Sequence, residues 1–268
     1  MGEGAPSLAI ERRGAVLELR LNRPDRLNAL DVPRFRELRQ ALTRAAHDGA
    51  VRAVLLTGEG RAFCAGGDVA AMESARSEGR LPELFHELTG EQELSVREIL
   101  GMEKPVVAAL PGVAAGGGLS LALAADWRIG SPEALLVPAF PGLGAVPDGG
   151  LTYFLPHFLG IGLAQELLFT NARVPADRAR ELGLLHEVVP VDTLRERARA
   201  RTAELAEGPT FAYGRMKQLL VAAFSGSWES QLALERRGAV EAARRPDLAE
   251  GIRAFREKRP PRFTGSAP

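Results

Sequence analysis

Apolar and polar positions alternate over residues 8–11 and again over 15–21, on either side of Arg13-Gly14, and this period of two predicts a half-buried β-hairpin. The next five residues, Asn22-Arg23-Pro24-Asp25-Arg26, have the composition of a turn. The period then lengthens. Phe35, Leu38, Leu42 and Ala45 recur at helical spacing behind Asp31, a favourable N-cap, and Pro33, which a first helical turn tolerates. Asp48-Gly49 ends this helix, and a short apolar run over 51–57 reads as a buried strand.

Beyond Met72 the periodicity weakens over residues 73–90, where Gly79 and Pro82 interrupt it, so this stretch is expected to be a mobile excursion at the edge of a pocket. A helix over 91–102, a strand over 105–110, a helix opening near Gly118 and strands over 127–130 and 135–137 follow. Alternating strands and helices pair most economically as a parallel sheet joined by right-handed crossovers, an α/β fold. From Gly149 the pattern turns helical, over 153–168, 175–182, 192–207, 209–224 and 227–243, with a short extended piece over 187–191. Several of these helices carry apolar faces that a small core does not cover, which predicts homo-oligomerisation. The chain divides into a core of residues 1–195 and a helical region of 196–268.

Chemistry concentrates where strands run into glycines. Residues 61–69, RAFCAGGDV, and residues 111–126, PGVAAGGGLSLALAAD, each follow a strand and open into a helix. Glycines at a helix start leave backbone N–H groups bare, so two such junctions can hold one developing negative charge as an oxyanion hole. The glycines equally suit a helix packed closely on a strand, and that alternative stands beside the first. Asp68 is expected to cap the helix after Gly67, and Asp126 to fix a turn. Asp148, in Val146-Pro147-Asp148-Gly149-Gly150, precedes two glycines and an apolar run and so reads as a helix cap.

Other chemistries fit less well. Ser120 lies in a near-match to the G-x-S-x-G elbow of serine hydrolases, with Ala122 in place of the second glycine and His157 or His186 as the required histidine. Cys64, in an apolar context, reads as a small core residue. His47, His86, His157 and His186 lack metal-ligand spacing. The dinucleotide fingerprint fails, since Leu121 stands where the third glycine belongs, and no P-loop lysine is present. Lys plus Arg and Asp plus Glu both number 34 and are scattered, the wrong pattern for nucleic acid or a membrane surface. No run of about eighteen apolar residues predicts a membrane span. Residues 1–14 lack the basic and apolar regions of a secretory leader, and the single cysteine fits a cytoplasmic setting. With 46% apolar residues, the 268-residue chain can bury a full core.

Five stretches, residues 21–31, 53–69, 106–129, 142–156 and 247–265, together resemble the crotonase superfamily, also called the enoyl-CoA hydratase/isomerase family. The resemblance implies a core of ββα spiral turns and a helical C-terminal region used in trimerisation, with trimers often pairing into hexamers. It also implies an acyl-CoA thioester substrate and no separate cofactor, since coenzyme A is part of the substrate. Carried over residue by residue, the oxyanion donors are the amides of Gly67 and Gly117. The loops around 26–29 and 65–69 resemble those that hold coenzyme A, which assigns Arg26, Leu27, Ala29, Ala65, Asp68 and Val69 to substrate binding, and Lys258 matches a basic residue of the tail that reaches it. Hydratases of the family carry one glutamate where this chain has Ser120 and another where it has Phe140. Both positions belong to the expected substrate site, and both acids are missing. The segment around Asp148 resembles the PDxGG motif of the 1,2-epoxyphenylacetyl-CoA isomerase branch, which implies an isomerase in phenylacetate or fatty-acid degradation with Asp148 as its acid–base residue. A hydratase, or a non-catalytic acyl-CoA-binding homologue, is the alternative.

Overall fold

A computed structural model describes residues 6–265. Residues 1–5, part of the segment expected to hold no secretory leader, lie outside the described residues. Strands β1 (Leu8–Arg13) and β2 (Val16–Leu21) form the expected antiparallel hairpin, with Arg13 opposite Val16 across a two-residue turn. After a 3-10 turn at Pro24–Arg26 comes α1 (Val32–His47), which Asp31 caps by accepting the Arg34 amide at 3.2 Å.

The chain then winds through three similar turns, each giving one strand to a large sheet and one to a small sheet before a helix. The first turn is β3 (Ala53–Gly58), β4 (Ala62–Cys64), α2 (Val69–Ser77) and α3 (Leu81–Gly101). The second is β5 (Val106–Leu110), β6 (Val113–Ala115) and α4 (Gly117–Ala124); the third is β7 (Trp127–Gly130), β8 (Leu135–Val137) and α5 (Leu151–Leu159). After α6 (Ile161–Phe169), β9 (Val174–Pro175), α7 (Ala176–Glu181) and β10 (Glu187–Val188), four helices close the chain: α8 (Val191–Ala206), α9 (Thr210–Ala222), α10 (Trp228–Ala242) and α11 (Pro246–Glu257). The large sheet has the order β1-β2-β3-β5-β7-β10, parallel except for the first hairpin, and the small sheet the order β4-β6-β8-β9. This is the spiral that the resemblance implies.

All six residues of β3 and all five of β5 are buried, because both faces of the large sheet are covered. Val54, Leu56, Val106 and Ala108 face the main core with Phe35, Leu38 and Phe63, while Ala53, Leu55, Val107 and Ala109 face Leu194 and Ala198 of α8. The division drawn at residue 195 therefore falls inside a helix that packs on the sheet. Asp126 anchors the next helix to the core: its Oδ2 accepts the Val106 amide at 2.7 Å and pairs with Lys217 of α9 at 2.9 Å.

Three expected elements differ. Residues 73–90 are helical: Gly79, at φ +70°, ends α2, and Pro82 lies in the first turn of α3, where its missing N–H costs nothing. The helix expected over 153–168 is two, divided at Gly160 with φ +75°. A further helix, α11, forms over residues for which no helix is expected.

Candidate active site

The two glycine junctions adjoin. β4 and β6 are parallel neighbours in the small sheet, so the loops leaving them emerge side by side. Gly66 has φ +92°, and a Cβ there would stand 2.8 Å from the Ala115 carbonyl and 3.3 Å from the Gly117 nitrogen, a space only glycine fits. A Cβ on Gly118 would collide with the Cys64 carbonyl. The close-packing reading of the triple glycine applies at Gly118, which lets α4 press on β4, while Gly117 is the first residue of that helix.

The amides of Gly67 and Gly117 are bare among the described residues. Leu30 forms a parallel bridge to Gly67 by donating to Gly66 O at 2.8 Å and accepting from Asp68 N at 3.0 Å. That pairing skips the Gly67 amide. The Gly117 amide opens α4 and has no carbonyl four residues earlier in the helix to reach. The loop of residues 23–30 holds this arrangement through Asn28, which is buried with φ +58°. Its Oδ1 accepts the Arg23 amide at 2.8 Å, and its Nδ2 donates to the carbonyls of Glu59 at 3.0 Å and Ala62 at 2.8 Å.

Ala65, Gly67, Val69, Gly117, Phe140 and Asp148 line one cavity of about 430 Å³, with an apolar wall from Met72, Phe85 and Leu88. Asp148 does not cap α5: Gly150 holds that position, and no side chain caps the helix. Instead the Asp148 Oδ1 accepts a hydrogen bond from Gln92 Nε2 at 2.8 Å. Burial pushes the Asp148 carboxyl above its ordinary range, and the Gln92 bond opposes this in part. The carboxylate is thus a stronger base than one in water.

Ser120 is fully buried and does not reach the cavity; its hydroxyl donates to the Asp148 carbonyl at 2.9 Å. It fixes the backbone that carries the acid, and neither His157 nor His186 is its partner: the Nδ1 of His157 faces the Tyr153 carbonyl, and that of His186 accepts the Arg128 amide at 3.1 Å. The hydrolase reading ends there. Cys64 is buried, with its thiol pushed up to about 12 by burial, and serves as core. Asp68 caps α2 through Ala70 N at 3.0 Å and pairs with Arg23 at 3.0 Å. Burial acts upward on its carboxyl, yet Arg23 and the two helix amides outweigh it and hold it below the ordinary value.

Arg26, Leu27 and Ala29 stand outside the cavity wall, on the loop that braces it: the Leu27 carbonyl accepts the Ala65 amide at 3.0 Å. Lys258 is exposed at the end of α11 and outside this cavity. The sequence reading missed Gln92, whose signal was an amide on the apolar stripe of α3, between Leu88 and Val96. It also missed Arg173, which lines the cavity from the segment before β9. A second groove, of about 460 Å³, lies between α5 and α9 around Trp127, Tyr153 and Phe224 and holds neither glycine junction nor Asp148.

Comparison with known proteins agrees with this layout. The model of the family described as enoyl-CoA hydratase/isomerase matches residues 11–266. A Rhodobacter capsulatus protein named "Probable enoyl-CoA hydratase" is 40% identical, over 91% of this chain and 93% of its own. The 1,2-epoxyphenylacetyl-CoA isomerase of Escherichia coli is 38% identical, over 93% of this chain and 95% of its own. The crystal structure of an enoyl-CoA hydratase from a Polaromonas species superimposes with a TM-score of 0.90 at 33% identity, covering 96% of this chain and 99% of that one. On the strength of its fold, its motifs and these matches, the chain belongs to the enoyl-CoA hydratase/isomerase family.

Proposed function

We propose that this enzyme isomerises acyl-CoA thioesters by moving a proton beside the thioester carbonyl. In a 3-enoyl thioester the Asp148 carboxylate takes the α-proton. The electron pair left on carbon forms an enolate whose negative oxygen is held by the Gly67 and Gly117 amides. The protonated Asp148 then returns its proton to the γ-carbon, and the double bond ends between the α and β carbons. Each such donor contributes about a hundred- to thousand-fold in rate, which is what makes so weak an acid as an α-carbon yield its proton. No cofactor is required, since coenzyme A enters with the substrate.

The observation that carries this reading is a single raised carboxyl, Asp148, sharing a cavity with two bare amides. Hydration needs one group to activate water and another to supply the α-proton, and the two glutamates that hydratases of the family use are replaced here by a buried serine and a phenylalanine. The similarity to an enzyme named 1,2-epoxyphenylacetyl-CoA isomerase supports the same direction. Incubation with 3-enoyl, 2-enoyl and epoxyphenylacetyl thioesters in deuterated water, with products resolved by mass, tests it. Isomerisation gives a product without added water, its mass raised only by deuterium that Asp148 exchanges with solvent before returning the proton; a product heavier by one water makes the enzyme a hydratase. Exposed Leu220, Phe224, Trp228, Ile252 and Phe255 on the C-terminal segment support assembly as a homotrimer or a pair of trimers, which a monomeric mass in light scattering would refute.

A further inference from the structure

We propose that Gln92 is the positioning residue of the acid–base centre, its side-chain amide engaging Oδ1 of Asp148 so that Oδ2 is the oxygen that takes and returns the proton. The inference rests on the reading of Asp148 as the base. Gln92 is 2% exposed and sits on the buried stripe of α3, fifty-six residues from Asp148 in the chain. An amide so buried is retained at a cost unless its hydrogen bonds are used, and its Nε2 is used on the carboxylate at 2.8 Å.

The same side chain touches both halves of the site. A Cβ on Gly117 would stand 2.6 Å from Gln92 Oε1, and one on Gly149, whose φ is +57°, would collide with Gln92 Nε2. One side chain thus packs against the helix start that supplies an oxyanion donor, against the turn after the base, and against the base itself. Ser120 holds the other side of that turn by its bond to the Asp148 carbonyl.

A neutral amide suits a group that must cycle. An arginine on Oδ1 would hold the carboxyl ionised and weaken it as a base, whereas an apolar neighbour would leave burial unopposed. The amide N–H can donate to Oδ1 both when the carboxylate is charged and when Oδ2 carries the proton. Other charges around Asp148 are few. α4 carries none, and His157 of α5 turns toward Tyr153 and Phe224 in the second groove. On α3, Glu91 is paired with Arg36 and Arg39, and Glu93 with Arg97. Arg173 is the one other charged side chain lining the cavity among the described residues.

Gln92→Met keeps the length and removes the donor; Gln92→Glu keeps the shape and adds a like charge. Folding is checked by circular dichroism, and the pH dependence of kcat/KM is compared with a direct titration of the Asp148 carboxyl by NMR on 13C-aspartate-labelled protein. Loss of one bond to a charged group predicts that the acid limb and the carboxyl titration both move up by about one pH unit in the Met variant, and further in the Glu variant. KM for the thioester should change by less than about threefold, since an effect confined to proton transfer leaves binding in place. In an Asp148→Asn background, Gln92→Met should add little further loss. Folded Met and Glu variants whose acid limb and carboxyl titration both stay at the wild-type pH overturn the proposal. If Asp148→Asn keeps full activity, the parent assignment falls, while the carboxyl titration still decides whether Gln92 holds that group.

Discussion

Replacing Asp148 by Asn should separate activity from stability, and the structure sets the direction of both effects. Asn keeps an oxygen to accept the Gln92 amide at the 2.8 Å now spanned by Oδ1, so the local geometry survives. What it loses is the carboxylate proposed as the base. General acid–base catalysis contributes about 10²–10⁴-fold, so isomerisation and α-deuterium incorporation should fall by that factor, or about 3–5 kcal/mol of transition-state stabilisation. Stability should move the other way. Burial raises the carboxyl above its unfolded value, so this group favours the folded state most below the unfolded value, and that contribution is lost as the pH rises through the folded one. At neutral pH the ionised acid is therefore a cost that Asn removes. Thermal melts should show Asp148→Asn as stable as wild type or more so at neutral pH, with the difference shrinking toward about pH 4 as the wild-type acid takes up its proton. Full activity in the variant would refute the assignment of the base. A fall in melting temperature together with activity would make Asp148 a structural residue.

Two further substitutions probe the scaffold. Gly118→Ala gains about 1 kcal/mol of helix propensity but drives a methyl into the Cys64 carbonyl, which is backbone of β4 and cannot swing aside; a net loss of about 2 kcal/mol, or about 4–8 °C in a thermal melt, is expected. Asn28→Ala removes three hydrogen bonds at about 1 kcal/mol each and leaves alanine in the left-handed region for about 1 more, so a loss of about 4 kcal/mol by denaturant titration is expected, with activity falling because the loop bracing Gly66 and Gly67 loosens.

Much of the fold was legible in the sequence because the spiral repeats a short local signal. Each turn reads as an apolar strand, a glycine or proline break and a helix, and β5, β7 and β8 lie where the apolar runs place them. The first hairpin and the Asp31 cap follow from period and cap chemistry in the same way. The helices within 73–90 are not legible from their proline and glycines alone, because position decides what those residues do: Pro82 begins a helix, and Gly90 lies within one that is held by packing. In the site, the bare amides were legible as glycines before helices, and Asp148 as an acid in a glycine turn. Gln92 was not, since a polar residue in a helical pattern reads as solvent-facing until the fold brings Asp148 onto the same spot. The role of Ser120 was hidden for a related reason, as its partner is a backbone carbonyl twenty-eight residues away.

The central claim is that the Gly67 and Gly117 amides meet at one thioester oxygen. Isotope-edited infrared spectroscopy of a bound acyl-CoA labelled with 13C at the thioester carbonyl tests it most directly, using Asp148→Asn to prevent turnover. The account predicts a carbonyl stretch moved to clearly lower frequency than that of the free thioester in water, because two bare N–H groups polarise the bond. A bound carbonyl that absorbs at the frequency of the free thioester would contradict it.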